Sequence, residues 1–238
     1  MIYKTDNIIN LRDLGGHKCA GGITAYGNIF RCGIPKDPTE NDLAFLREKG
    51  IGTVIDLRGY GEAREMPSFF RNSTEFVYHN ISLLEATPHL ARKTSPLWET
   101  YTGALENYAE GFAKVFRVIG EAPGPLIFHC FLGKDRSGML AALLLGSAGV
   151  DREEILRDYE ISFENLIGFV RKEIEADSGL IWEQDISRLR SDRENMERTL
   201  DFLDEKYSGI NGYLRSTGLT DDEIGLAAGK LIPGKEIR

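Results

Sequence analysis

The sequence predicts an α/β protein with a mostly parallel central sheet flanked by helices. Three observations carry that expectation. Short apolar runs at residues 53–57 and 125–128 have the length and composition of buried strands. They alternate with longer stretches whose apolar residues recur at helical spacing, the pattern of a parallel sheet crossed by helices. The run Pro125-Leu126-Ile127-Phe128 then breaks into a glycine-containing loop and a second apolar stretch over 138–145. Such a strand–loop–helix junction belongs at the carboxyl end of a parallel sheet, where ligands bind.

In chain order, residues 21–30 read as a hairpin turning near Tyr26-Gly27-Asn28. Thr39 is placed to cap a helix carrying Leu43, Phe45 and Leu46, which Gly50 ends. Strands follow over 53–57 and 75–81. Tyr101, Leu105, Tyr108, Phe112, Val115, Phe116 and Ile119 recur at helical spacing and are expected to line the core. After the junction, Asp151 and Glu154 suit a capping box for a helix with Ile155, Leu156 and Tyr159 inward. Further helices are expected over 163–176, 182–190 and 192–206, and a last one from Thr220 with Glu223. No linker, repeat or low-complexity tract divides the 238 residues, so one domain, 1–238, is expected.

Composition narrows the function. The chain is 42% apolar and 28% charged, as in ordinary globular proteins. A net charge of −8 without a basic stripe argues against nucleic acid as a partner. Any attraction for an anionic substrate must therefore be local. Three cysteines (Cys19, Cys32 and Cys130) make no even disulfide set and point to a reducing compartment. The first residues lack a signal-peptide pattern and no apolar run is long enough to span a bilayer. The expectation is a cytoplasmic protein with no stable membrane insertion, although export without a recognisable signal would leave no such mark. Nothing in the sequence speaks to oligomeric state.

His129-Cys130-Phe131-Leu132-Gly133-Lys134-Asp135-Arg136-Ser137 places a thiol, a row of backbone amides and a guanidinium within reach of one phosphate. Amides at a helix start, together with the positive end of the helix dipole, attract anions. A cysteine there is expected to be acidic and nucleophilic, whereas most free cysteines are merely small buried hydrophobes. Arg136 offers a planar fork for two phosphate oxygens. The amides of Phe131, Leu132, Gly133, Lys134, Asp135 and Arg136 would cradle the rest, with Gly133 supplying the tight turn. Amides and guanidinium already neutralise the phosphate oxygens, so neither metal nor cofactor is called for. The chemistry expected is phosphate-ester hydrolysis through a phosphocysteine.

His followed by Cys-x5-Arg-Ser is the signature of the cysteine-dependent protein tyrosine phosphatase superfamily. The loop form His-Cys-x-x-Gly-Lys-Asp-Arg resembles that of the bacterial tyrosine-phosphatase-like family. Asn10-Leu11-Arg12-Asp13-Leu14-Gly15-Gly16, Ile29-Phe30-Arg31-Cys32-Gly33, Thr53-Val54-Ile55-Asp56-Leu57-Arg58 and Gly209-Ile210-Asn211-Gly212-Tyr213-Leu214 resemble its successive blocks. The resemblance implies the phosphatase form of the α/β fold with a helical insertion around 85–100 and 160–190. It implies that Ser137 bonds the sulfur and helps it leave, and that His129 orients the loop. It also implies that Lys134 reaches a substrate phosphate, as in enzymes that accept phosphoinositides. Cys32 departs from the serine common in that family and puts a second thiol in the neighbourhood.

The proton donor to the leaving group is less constrained. No Trp-Pro-Asp tripeptide is present. Asp135 comes first because its place in the loop guarantees nearness to the phosphate, and the resembled family usually nominates it. Asp56, at the end of the 53–57 strand, and Asp13 are the alternatives, and either would otherwise be a structural carboxylate. Arg12, Asp13, Arg31 and Arg58 read as ion-pair scaffold around the site. His89, Arg92 and Lys93 fall in a segment suited to a lid. Tyr60, Phe69 and Phe70 are candidate aromatic walls. The substrate expected is phosphotyrosine, with phosphoserine, phosphothreonine and phosphoinositides in the same reach. The competing readings are a phosphoinositide phosphatase first, a silent phosphate-binding module, and a rhodanese-like sulfurtransferase. Retention of both Cys130 and Arg136 disfavours the second, and the arginine and serine spacing disfavours the third.

Overall fold

In the computed structural model the described residues are 1–19, 22–85, 96–175 and 189–233. Their main sheet has five strands in the order β1-β4-β7-β5-β6, formed by Arg12–Asp13, Ile29–Cys32, Leu126–His129, Thr53–Asp56 and Val77–Asn80. Only β1 runs antiparallel to its neighbour; the other three pairings are parallel. A small hairpin of β2 (Lys18–Cys19) and β3 (Gly22–Ile23) stands apart. The helices are α1 (Glu40–Glu48), α2 (Tyr60–Glu65), α3 (Leu97–Asn107), α4 (Ala109–Glu121) and α5 (Asp135–Ser147). They continue with α6 (Arg152–Glu175), α7 (Arg193–Tyr207), α8 (Ile210–Ser216) and α9 (Asp221–Gly229), and a 3-10 turn covers Phe69–Asn72. The mostly parallel α/β architecture is the one the sequence predicts.

Strand alternation sorts the core into two layers. Ile29, Ile55, Leu57, Leu126 and Phe128 point to one face, under α3, α4 and α5. Phe30, Val54 and Ile127 point to the other, against Leu43 and Leu46 of α1 and against Phe70 and Phe76. Residues 139–145 of α5 are all buried, as suits a helix covered on every side. Thr39 and Thr220 both form full capping boxes, with Asp42 and Glu223 as the reciprocal partners.

Four details differ from the sequence expectations. The hairpin pairs Lys18–Cys19 with Gly22–Ile23, upstream of 26–28, where Gly27, at φ +83°, instead leads the chain into β4. The apolar stretch from Tyr101 to Ile119 is two helices, broken at Tyr108, which lets α3 pack on α7 and α4 on α9. The 163–176 expectation merges with its predecessor into the single helix α6. Residues 210–216 form a helix of their own. The 86–95 part of the expected insertion, with His89, Arg92 and Lys93, lies outside the described residues, as does most of the 182–190 helix.

Phe116 is fully buried on α4 in the larger core layer. Phe116→Ala is expected to lower unfolding free energy by about 3–5 kcal/mol, read from urea denaturation.

Candidate active site

β7 is the central strand, so the loop after it opens between the ends of β4 and β5, with Cys32 and Asp56 in register with His129. Cys130 is the first residue past β7 and is 2% exposed. The next four carbonyls are all drawn outward. Phe131 O accepts from the Ile34 amide at 2.9 Å. Asn10 Nδ2 donates to Leu132 O at 3.0 Å and Gly133 O at 3.1 Å. Arg31 donates to Gly133 O at 2.8 Å and Lys134 O at 3.2 Å. There are no cis peptides among the described residues. In a trans unit the N–H points opposite the C=O, so the amides of 132–135 face the inside of the loop. That is an anion cradle with a thiol at its base. Gly133 sits at φ +68°, and a Cβ there would collide with the Cys32 carbonyl, so no other residue fits.

The outward pull has its own anchor. Asp158, on α6, accepts from Arg12 Nε at 2.8 Å and Arg31 Nη1 at 2.5 Å, all three side chains being buried. Arg12 also reaches Ser162 Oγ at 2.9 Å and Asn10 Oδ1 at 2.7 Å, which aims the Asn10 amide at the loop. Asn10 itself is held at φ +54°, a conformation asparagine tolerates better than most residues. Burial would raise the Asp158 carboxyl pKa, but Arg12 and Arg31 outweigh it and hold the group far below the usual carboxylate range. Burial and the neighbouring Arg12 press Arg31 down to about 10, leaving it charged at neutral pH.

On the mouth side, Arg136 presents its fork to Glu62 of α2, at 2.6 and 3.1 Å, and Nη1 also reaches Leu84 O at 3.2 Å. Asp135 opens α5, with its Oδ1 accepting from the buried Tyr101 hydroxyl and lying 3.5 Å from Lys134 Nζ. The Lys134 ammonium turns to the Arg190 carbonyl at 2.8 Å.

The other two candidate carboxylates are differently engaged. Asp56 is fully buried, bonded to Arg58 at 2.7 and 2.9 Å and to the Tyr78 hydroxyl at 2.7 Å. Against the cost of burial, His129, Arg58 and Tyr78 hold its carboxyl below the usual range. Both oxygens of Asp13 accept backbone amides, from Gly15 and Gly27 at 2.7 Å each. His129 Nδ1 lies 3.2 Å from Cys130 O and 3.8 Å from Asp56 Oδ1; two acceptors make Nδ1 the protonated nitrogen. Burial pushes the His129 pKa down.

Ser137 Oγ is buried and makes no hydrogen bond, so the expected bond to the Cys130 sulfur is not formed here. Cys32 and Cys130 are both free and buried, and they belong to different core clusters. Burial raises the Cys32 thiol pKa. Of the aromatic walls, Tyr60 and Phe69 are exposed, whereas Phe70 is core against Phe76. Among the described residues no three His, Cys, Asp or Glu side chains gather as a metal-binding set. No described helix is long and apolar enough to cross a membrane.

The sequence reading missed Asn10, Glu62 and Asp158 as site residues. A signal for Asp158 was present: it shares the inward stripe of α6 with Ile155, Tyr159 and Ser162, where a lone carboxylate requires a buried partner. Two arginines in buried strands likewise require an anion.

A strand-end thiol, a row of inward amides and an arginine engaged by Glu62 at the helix start are the parts of a phosphate-ester enzyme. The chain belongs to the tyrosine phosphatase family, whose sequence profile matches residues 3–232. A tyrosine-protein phosphatase of Nostoc commune is 32% identical over 199 residues, 78% of this chain and 68% of that one. The triple specificity protein phosphatase PtpB of Mycobacterium tuberculosis is 28% identical over 125 residues, 45% of this chain and 44% of its own. The crystal structure of P. aeruginosa TpbA aligns with a TM-score of 0.39 at 13% identity, covering 82% of this chain and 90% of that one.

Because the native pKa of Asp158 is depressed, its contribution to stability is complete above the ordinary aspartate pKa of about 4 and is lost as pH falls below it. Asp158→Asn is expected to cost about 3–5 kcal/mol at neutral pH, since it leaves two buried guanidiniums without a carboxylate. Chemical denaturation from about pH 7 to pH 3 should show the gap between wild type and variant narrowing below about pH 4, where the unfolded wild-type chain takes up a proton that the folded one does not.

Proposed function

We propose that the protein hydrolyses phosphotyrosine through a phosphocysteine on Cys130. The observation that carries this reading is the outward pinning of the carbonyls of 131–134, which turns a continuous row of amides toward the space above the thiol. The phosphate oxygens take those amides and the Arg136 fork, which releases Glu62 in part or shares it. Cys130 Sγ attacks phosphorus in line as the thiolate, forming the S–P bond as the ester P–O bond breaks. Asp135 gives its proton to the departing oxygen. In the second step the Asp135 carboxylate takes a proton from water, whose oxygen attacks phosphorus, and the thiolate and inorganic phosphate separate. The buried, unpartnered Ser137 hydroxyl is available to stabilise the departing sulfur. His129 Nδ1–H steadies the Cys130 carbonyl, and Asp56 and Arg58 brace that histidine from behind.

Asp135 is preferred to Asp56 and Asp13 because it alone is partly solvent-accessible and opens the helix beside the cradle. The other two are fully engaged by Arg58 and Tyr78, and by backbone amides. The triple specificity in the name of PtpB supports a substrate range broader than phosphotyrosine alone; phosphoserine, phosphothreonine and phosphoinositides are the candidates. Three unpaired cysteines fit a reducing compartment and hence the cytoplasm.

The test is hydrolysis of a phosphotyrosine peptide and soluble phosphoinositides by wild type and Cys130→Ser. All turnover should vanish in the variant, vanadate should inhibit the wild type, and EDTA should leave it unchanged. A wild-type preference for phosphoinositides would make the lipid the primary substrate. Loss of activity with EDTA would contradict the metal-free mechanism, and thiosulfate turnover without phosphatase activity would replace it with sulfurtransfer.

A further inference from the structure

Two tyrosines outside the loop converge on Asp135. Tyr101, on α3, is fully buried, and its hydroxyl donates to Asp135 Oδ1. Its oxygen lies 2.8 Å from the hydroxyl of Tyr159, on α6, and the rings meet edge to face at 85°. A hydroxyl has one proton, and that of Tyr101 is committed to the carboxylate, so Tyr159 must be the donor to Tyr101. The chain therefore has one direction, Tyr159 to Tyr101 to Asp135. Each bond in such a chain polarises the next. Tyr159 is fixed in turn, its ring packing over Gly138 in the first turn of α5, where a Cβ would stand 3.0 Å from it.

We propose that Tyr101, backed by Tyr159, is a positioning residue that reserves Oδ2 of Asp135 for proton transfer. The two oxygens of the carboxyl group are made unlike. Oδ1 takes the tyrosine hydroxyl and lies 3.5 Å from Lys134 Nζ, so a proton on it would face two donors. The proton is left to Oδ2. The same contact stops the side chain rotating, and so holds the donor oxygen in one place as the ester bond breaks. Burial and the neighbouring Asp135 carboxylate raise the Tyr101 hydroxyl pKa well above its ordinary value, so it remains a donor throughout the working range. Phe at either position keeps the ring and its packing and removes only this function.

This inference rests on Asp135 as the proton donor, and the experiment separates the two. Tyr101→Phe, Tyr159→Phe, Asp135→Asn and the double variant Tyr101→Phe/Asp135→Asn are assayed on aryl phosphates whose leaving groups span about pKa 5 to 10, para-nitrophenyl phosphate among them. Good leaving groups need no proton and poor ones do. Rates of two substrates on one preparation form a ratio that does not depend on how much of a variant is folded. Tyr101→Phe is expected to lose roughly tenfold or more on the poorest leaving group and under about threefold on the best. Asp135→Asn should show the same slope more steeply, and the double variant should be no worse than Asp135→Asn alone. Tyr159→Phe, which leaves the Tyr101–Asp135 bond in place, should fall between wild type and Tyr101→Phe. A uniform loss across all leaving groups, or a full additional loss in the double variant, overturns the positioning role while Asp135 stands. An Asp135→Asn variant without leaving-group dependence removes the proton donor, and the positioning role with it.

Discussion

One carboxylate between two buried guanidiniums organises the rest of the site. Asp158 meets Arg12 of β1 and Arg31 of β4, and through them reaches every carbonyl from Leu132 to Lys134. A loop of bare amides facing a common point is electrostatically unfavourable without an anion, because parallel dipoles repel. Fixing the opposite ends of those dipoles holds the cradle open before substrate arrives, and preorganised dipoles are what stabilise a charged transition state. The cost is a buried ion triad, which contributes little net stability but is severe to break. The conformation of the loop, more than the free energy of folding, is what the triad secures.

The helix that carries Asp158 serves the site twice. Asp158 and Tyr159 are consecutive, yet the first reaches the scaffold behind the loop and the second reaches Tyr101 in front of it. α6 thereby connects the loop scaffold to Asp135, the proposed proton donor, while Glu62 of α2 separately engages the Arg136 fork. A net charge of −8 is no obstacle, because the loop is served by cations placed individually: Arg12, Arg31, Lys134 and Arg136 all sit within or directly behind it.

The sheet and the loop were legible because both are local. Apolar runs of strand length and the Cys-x5-Arg spacing do not depend on what folds over them, and β5, β7 and α5 fall where the sequence puts them. The hairpin was misplaced because Gly27 reads as a hairpin turn, whereas its amide is bound to Asp13 and the strand after it pairs in the main sheet. The break at Tyr108 leaves the apolar periodicity almost intact, so spacing cannot show it. The partners of the site were hidden for another reason. Glu62, Tyr101, Asp158 and Tyr159 act across sequence separations of 34 to 146 residues. Tyr101 and Tyr159 read as core, which they are; only the position of one oxygen on each makes them functional.

The most direct test of the pinned loop removes the pin, together with the bonds that Asn10 Oδ1 accepts from Arg12 and Asn165. Asn10→Gly suits this, because glycine accepts the φ of +54° without strain while the two side-chain bonds to Leu132 and Gly133 are lost. Affinity for tungstate, a phosphate-like oxyanion, is measured by calorimetry on wild type and variant, with circular dichroism to confirm the fold. Two lost bonds predict binding weaker by roughly tenfold or more, with Cys130 and Arg136 untouched. Unchanged affinity in a folded variant would show that the amides face inward without Asn10, and would contradict the account.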